Sequence, residues 1–375
     1  MQARVIIANS ESNADMLYVS GIFVPDPFIA IEIDGHWHGL FSPLEIDRAR
    51  KHARLDQVEL DTAWHEKAQH RGWPRSLAAA AAAFLDAHGI RRLLVPGSFP
   101  VREADMFRSW GFEVQACEGS MFPERAIKQE WEIHQLARAE RLTRKAMQLA
   151  RNHLAECSID NRGFLRHPQN PKRLKSADVR RVIEGFLISH GALPMHTIVA
   201  CGKESSDPHN TGHGFLRAGQ PIIIDIFPRL QDSGYWGDMT RTFVKGRPNK
   251  KLSAMHEAVR EAQKIGLDMV QAGINARTIH ERILAFFTEK GFVTGMRRGR
   301  QVGFFHGTGH GVGLEIHEEP RISRCDAVLK AGNVVTVEPG LYYPGIGGVR
   351  LEDLVVVRES GCENLTRYTT RMEID

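Results

Sequence analysis

The sequence predicts a two-domain α/β protein, with a small α/β unit over residues 1–121 and a larger α+β unit over residues 122–375. Three observations predict it. The first third alternates strand-like apolar runs with helical stretches, the order expected of an α/β layer. A seam of loop-forming residues follows at Gly119-Ser120-Met121-Phe122-Pro123. Beyond the seam, the series helix, helix, paired strands occurs twice, which predicts an internal pseudo-two-fold architecture. A chain of 375 residues has room for two domains of roughly 100–200 residues each.

In chain order, Val5–Ala8, Phe28–Ile33, Leu93–Val95 and Phe112–Ala116 read as strands. Residues 74–88 read as a helix opened by Pro74 and stopped at Gly89, with Ala78–Ala83 as strong helix-forming scaffold. Arg102–Trp110 reads as a second helix, stopped by Gly111. After the seam, residues 124–156 read as one long helix, and the polar, Pro-containing stretch 162–175 as a loop. Ser176 is placed to cap a helix over 177–189. Strands are expected at His196–Cys201, Pro221–Phe227 and Met239–Lys245, then helices at Leu252–Gln271 and Ala276–Lys290. The second strand pair is expected at Asn333–Glu338 and Val349–Val357.

Composition removes several function classes. The 49 Lys and Arg against 45 Asp and Glu leave a net charge of +4, too balanced to imply nucleic acid or an anionic membrane as partner. Basic clusters such as Arg297-Arg298-Gly299-Arg300 and Lys172-Arg173-Leu174-Lys175 read as solvated faces. No stretch approaches the ~20 apolar residues of a membrane helix. The opening MQARVIIANSES is too short in apolar run for a signal peptide, so a cytoplasmic location is expected. Five scattered cysteines, with no C-x-x-C pair, argue against both a disulfide framework and a thiolate zinc site.

The chemistry concentrates at strand ends. Ile222-Ile223-Ile224-Asp225 and Val334-Val335-Thr336-Val337-Glu338 are buried-strand patterns that end in a carboxylate. Asp238 immediately precedes a strand, and Glu352-Asp353 precede Leu354-Val355-Val356-Val357. A buried carboxylate is expensive unless paired or bound to a cation. Each acid alone could be a strand-end cap or an ion-pair member; four together are explained by a shared cation. The segment HGTGHGVGLEIHE holds His306, His310 and His317 among alternate glycines, too glycine-rich for a helix and unlike the helical H-E-x-x-H motif. One histidine of this set would complete an oxygen-rich site. Four carboxylates and one imidazole without thiolate suit Mn, Co, Zn or Fe, and their charge suits two divalent ions rather than one. Such a pair activates water and polarises a carbonyl, which is hydrolysis chemistry.

The acid–acid–His–Glu–Glu order within GDMTRTF, HGTGHGVGLEIHEEP, TVEPGLY and GVRLEDLVVV resembles the dinuclear metallopeptidases of the pita-bread fold, which include methionine aminopeptidase, Xaa-Pro aminopeptidase and Xaa-Pro dipeptidase (prolidase). The resemblance runs from about Pro123 to the C-terminus. Asp15–Gly21 and Ser42–Ala49 resemble the creatinase-type N-terminal domain, which methionine aminopeptidases lack and which therefore favours the proline-specific branch. Creatinase itself lacks the metal ligands.

The resemblance implies two divalent metal ions per subunit, manganese first, with cobalt or zinc as alternatives. Asp225 would hold one metal through both oxygens, Asp238 and Glu352 would bridge, and His310 and Glu338 would complete the second. Glu338 would also shuttle the proton from the bridging water to the leaving amine. His317 would stabilise the oxyanion, His209 and His306 would contact substrate near the scissile bond and the proline ring, and Arg350 would orient Glu352. The implied substrates are peptides with proline in second position. A prolidase is favoured, with the loop 205–212 or Arg321 capturing the substrate carboxylate; an Xaa-Pro aminopeptidase acting on longer peptides is the alternative. A non-catalytic binding module is disfavoured by the complete ligand set. The N-terminal domain implies a homodimer in which it closes the partner's site. Phe227 departs from the small residue that often stands two positions after the first metal-binding Asp in the family, which leaves the pocket's shape open without implying lost activity.

Overall fold

Apolar alternation in the first third builds a six-stranded mixed sheet in the computed structural model, which describes residues 2–170 and 172–375. The chain divides into two units, Met1–Pro123 and Glu124–Asp375. In the first unit the strands lie in the order Gln57–Leu60, His36–Phe41, Phe28–Ile33, Gln2–Ala8, Arg92–Val95, Glu113–Ala116. The helix Leu77–Ala87 keeps all of Ala78–Ala83 buried, in one core with Val5, Ile29, Ile31 and Leu93. Methyl side chains let that helix approach the sheet closely. Its start is Ser76, whose side chain accepts from the Ala79 amide at 3.1 Å, rather than the expected Pro74.

Five elements of this unit escaped the sequence reading: Ala14–Ser20, His36–Phe41, Ile46–His52, Gln57–Leu60 and Thr62–His70. They are short and carry little periodic apolar signal; Ile46–His52 (IDRARKH) buries only Ile46 and Ala49. Tertiary packing, not local pattern, stabilises such segments.

In the second unit the helices Glu130–Ala155 and Ser176–Ser189 pack with the sheet Ile198–Cys201, Ile222–Ile226, Met239–Lys245, Glu373–Ile374. The helices Lys250–Met269 and Ala276–Glu289 pack with the sheet Glu318–Ile322, Gly309–Gly311, Val334–Val337, Asp353–Val357, Cys362–Asn364. This is the expected repeat of two helices and a strand pair. The first helix begins at Glu130 rather than 124, closed by the Gln129 amide bonding the Glu132 carboxylate at 2.9 Å. Ser176 lies inside the second helix, and the amide of Lys175 is met by Asp178 at 2.7 Å instead. The expected loop 162–175 contains a short strand, Leu165–Arg166, paired with Ser158–Ile159.

One difference matters for function. The expected strand over Val349–Val357 is broken in two. Gly347–Arg350 pairs with Gly340–Tyr343, and Asp353–Val357 pairs with Val334–Val337. Between them the Glu352 amide donates to the Thr240 carbonyl at 3.1 Å, while the Thr242 hydroxyl bonds both the amide and the carbonyl of Arg350 at 3.0 Å. The chain therefore changes partners at Glu352, and the two half-sheets meet there. Among the described residues, no helix is long and apolar enough to cross a membrane.

Candidate metal centre

Each expected acid sits where a strand ends or breaks. Asp225 lies in Ile222–Ile226 opposite Thr240, Asp238 immediately precedes Met239–Lys245, Glu338 immediately follows Val334–Val337, and Glu352 occupies the break. At such positions the carboxylate escapes the apolar layer and turns into the space between the sheets. His310 reaches the same space from Gly309–Gly311. Two glycines permit that approach: a Cβ on Gly309 would overlap the Thr336 carbonyl, and one on Gly311 would lie 2.5 Å from the Glu319 carbonyl oxygen.

The five side chains converge. Asp238, His310 and Glu352 offer ligand atoms that all lie within 4.8 Å of one another. The His310 Nε2 is 3.6 Å from Asp238 Oδ2 and 3.4 Å from Glu338 Oε1. Its Nδ1 lies 3.1 Å from the Gly311 carbonyl, which takes that N–H and leaves Nε2 with its lone pair facing the acids. Its amide donates to Thr336 Oγ1 at 3.1 Å.

Arg350 departs from its expected role. It donates to Asp225 Oδ2 at 2.6 Å and reaches Glu352 only through Thr240, whose hydroxyl accepts from Arg350 Nε at 3.2 Å and donates to Glu352 Oε2 at 2.7 Å. The register explains it: Arg350 pairs with Gly340 outside the break, so its side chain crosses to Asp225 in the other half. Arg350 also donates to the Tyr342 hydroxyl at 2.8 Å, and that hydroxyl lies 3.0 Å from His306 Nε2. With His306 Nδ1 at 2.8 Å from the Gly307 carbonyl, the ring's orientation is held at both nitrogens.

The electrostatics is that of a site built for a cation. Burial, reinforced by the neighbouring acids, pushes Asp238 and Glu352 well above the usual carboxylate range. Burial lifts Glu338 to about 7, with Asp225 adding to the effect and Arg350 opposing it. Burial, with His317 beside it, holds His310 down to about 3, so its imidazole is neutral. Asp225 Oδ1 is buried without a hydrogen-bond partner. Four carboxylates face the Arg350 guanidinium, with Arg321 on the cavity wall, and an orphaned carboxylate oxygen among them fits a divalent cation.

A cavity of about 550 Å³ opens over these residues. His209, His306, His317, Arg321, Phe227 and Phe305 contribute to its wall. The His317 ring stands edge-on to His310, with centroids 4.4 Å apart. All the residues singled out from sequence are therefore brought together. Phe227 forms part of that wall. Sequence reasoning missed Thr240, Tyr342, Glu140 and Arg241. Buried Glu140 accepts the Asp238 amide at 3.0 Å and the Thr366 hydroxyl at 2.7 Å. Arg241, 1% exposed, donates to the Glu352 carbonyl at 2.7 Å and to Asp353 Oδ1 at 2.6 Å. The available signal was an arginine and a glutamate inside apolar patterns, Arg241 in MTRTFVK above all.

Residues 134–359 match the model of metallopeptidase family M24. The chain belongs to this family. A Xaa-Pro dipeptidase of Pyrococcus horikoshii is 34% identical to this M24 chain over 247 residues, which are 65% of this chain and 63% of that protein. The match thus spans less than two thirds of that relative's length. The crystal structure of the prolidase from Pyrococcus horikoshii OT3 superposes with a TM-score of 0.79 at 27% identity, covering 100% of this chain and 96% of that one. A Xaa-Pro dipeptidase from Bacillus anthracis superposes with a TM-score of 0.82 at 25% identity, covering 100% and 95%. The fold is the expected one, a pita-bread M24 unit preceded by a smaller α/β unit.

Proposed function

We propose that this M24 chain is a proline-specific dinuclear metallopeptidase that hydrolyses the Xaa-Pro bond at a peptide N-terminus, acting as a Xaa-Pro dipeptidase. The observation that carries the reading is the convergence of Asp225, Asp238, Glu338, Glu352 and His310, with the orphaned Asp225 oxygen, beneath a cavity walled by three histidines. The similarity to Xaa-Pro dipeptidases supports the proline-specific branch.

Asp225, through Oδ1, and Asp238, Glu352, His310 and Glu338 would hold two divalent cations, manganese first and cobalt or zinc as alternatives. Bound there, the cations activate water and polarise the scissile carbonyl. The protein's own groups do the rest. Glu338 accepts a proton at a carboxylate oxygen and returns it to the proline nitrogen, which as a tertiary amide has no hydrogen of its own. His317, next to His310, donates a hydrogen bond to the developing oxyanion. His209 and His306 contact the substrate around the scissile bond, with His306 held by Tyr342 and Gly307. Arg321, which has no ion-pair partner among the described residues, is the anchor for a dipeptide's C-terminal carboxylate.

The test follows hydrolysis of Ala-Pro and Ala-Pro-Ala by metal-stripped protein resupplied with Mn²⁺, with Glu338→Gln as control. Cleavage of Ala-Pro, abolished by the substitution, is expected. Metal binding with no cleavage of either peptide overturns proline specificity. The homodimer belongs to the same proposal, and a light-scattering mass of one chain would contradict it.

A further inference from the structure

The segment that carries His317 holds an acid the chemistry above does not use, Glu318, the first residue of the strand Glu318–Ile322. Two cations meet its carboxylate. Lys128 Nζ donates to Oε2 at 2.9 Å, and Arg125 donates to Oε1. Arg125 also reaches Glu315 Oε2 at 3.0 Å, so two cations face two acids. The side chains of Glu318 and Lys128 are 6% and 1% exposed, which makes the pair a buried one. Burial opposes the charge on Glu318, but Lys128 and Arg125 hold its carboxyl below the usual glutamate range.

The same carboxylate organises the chain that precedes it. Its Oε1 accepts the Glu315 amide at 3.0 Å, and the Glu315 carbonyl accepts the Gly313 amide at 3.1 Å. Gly313 packs so closely on Glu318 that a Cβ there would overlap the carboxylate. The carbonyls of Gly313 and Leu314 accept the Trp236 amide and Nε1–H at 3.1 and 3.0 Å. Residues 313–318 thus fold round the Glu318 side chain, and His317 rides on that turn with its ring edge-on to His310. The cations are anchored in their turn. The Lys128 amide donates to the Gly332 carbonyl at 2.8 Å, and Asn333 Nδ2 donates to the Ala126 carbonyl at 2.8 Å. Gly332 and Asn333 lead directly into the strand Val334–Val337, which delivers Glu338.

We propose that Glu318, clamped by Arg125 and Lys128, is a positioning residue that holds the His317 ring at the cavity wall in fixed relation to Glu338. The inference rests on the peptidase reading of the metal centre and deepens it. An oxyanion donor is effective when it is in place before the charge develops. A turn rich in glycine has little conformational preference of its own, so its geometry must come from an anchor. The buried ion cluster is that anchor, and it ties the turn to the strand of the proton shuttle.

The experiment is a double-mutant cycle of Glu318→Gln and His317→Ala, on Mn²⁺-loaded protein with Ala-Pro as substrate. Glu318→Gln keeps the shape and removes the charge. It should lower kcat by about thirtyfold, less than the ~100-fold or more that outright loss of an oxyanion donor costs. KM should stay within about twofold, because the lost interaction belongs to the transition state. In the His317→Ala background the same substitution should cost less than about twofold, whereas a general loss of structure would multiply through. A risen KM at unchanged kcat, or independent effects in the double variant, would overturn the clamp. If Glu318→Gln does not fold by circular dichroism, Lys128→Gln, which leaves Arg125 on the carboxylate, takes its place in the cycle. A second readout needs no activity. In chelated, ¹⁵N-histidine-labelled protein the His317 ring resonances, identified by their loss in His317→Ala, should shift in Glu318→Gln while those of His306 stay. Unmoved His317 resonances overturn the clamp. If wild type cleaves neither Ala-Pro nor Ala-Pro-Ala, the peptidase reading fails, and the resonances alone decide whether Glu318 places His317.

Discussion

Replacing Thr240 by Val tests whether the metal centre depends on the hydroxyl at the junction of the two half-sheets. Thr240 is fully buried in the strand Met239–Lys245, where Val has the same shape and suits the backbone. The change removes one donor, 2.7 Å from Glu352 Oε2, and one acceptor, 3.2 Å from Arg350 Nε. A hydrogen bond to a charged group contributes about 1.5–3 kcal/mol. Loss of a partner that orients a metal ligand costs about 10–100-fold in affinity, which by a factor of ten per ~1.4 kcal/mol is the same range. The expected result is a loss of about thirtyfold in Mn²⁺ affinity, or about 2 kcal/mol, by calorimetric titration of chelated protein. Thr240→Ser keeps the hydroxyl and should recover most of the affinity, whereas a merely steric role would leave both variants alike. If Thr240→Val folds, as read by circular dichroism, and binds Mn²⁺ within about threefold of wild type, the hydroxyl does not position Glu352 and the reasoning is wrong.

Other expectations follow from the same geometry. Glu338 in chelated protein titrates at about 7, above the 4.5 of an ordinary glutamate, so the folded state holds its proton longer than the unfolded state. That raised value favours folding below about pH 4.5, and the contribution is lost as pH rises through 7; Glu338→Gln, which cannot ionise, should gain on wild type between pH 5 and pH 8 by up to about 3 kcal/mol in urea unfolding. A gap between the two proteins that does not grow with pH would contradict this. Arg350→Met strips Asp225 Oδ2 of its only hydrogen-bond partner among the described residues and should destabilise chelated protein by about 3–5 kcal/mol, with saturating Mn²⁺ restoring part of the loss because the cation takes over the charge. A melting temperature unchanged by the substitution would refute that pairing. Gly309→Ala drives a Cβ into the Thr336 carbonyl and should cost about 1–3 kcal/mol while weakening Mn²⁺ binding, since His310 is the next residue; wild-type values in both urea unfolding and calorimetry would show that the approach is not needed.

The converging acids were legible in the chain because a carboxylate at the end of a branched apolar run is costly. Ile222-Ile223-Ile224-Asp225 and Val334–Glu338 announce both the strand and its exception. The long amphipathic helices were legible for a similar reason, since many residues repeat one period. The helix starts were less so. Ser76 and Asp178 are fixed by single hydrogen bonds, and several neighbouring residues could have made them.

What the sequence by itself determined is therefore the order of elements in the two units, the repeat, and the set of acids and histidines that line one cavity. Tertiary structure alone decided which of them touch. Val349–Val357 reads as one strand, and only the exchange of partners at Glu352, with Thr240 on one side and Val337 on the other, breaks it and frees that carboxylate for the site. Likewise Arg350 binds Asp225, 125 positions away in the chain, rather than its near neighbour Glu352. Local pattern records the cost of burying a charge, but the partner that offsets that cost comes from a distant strand whose register no local period encodes.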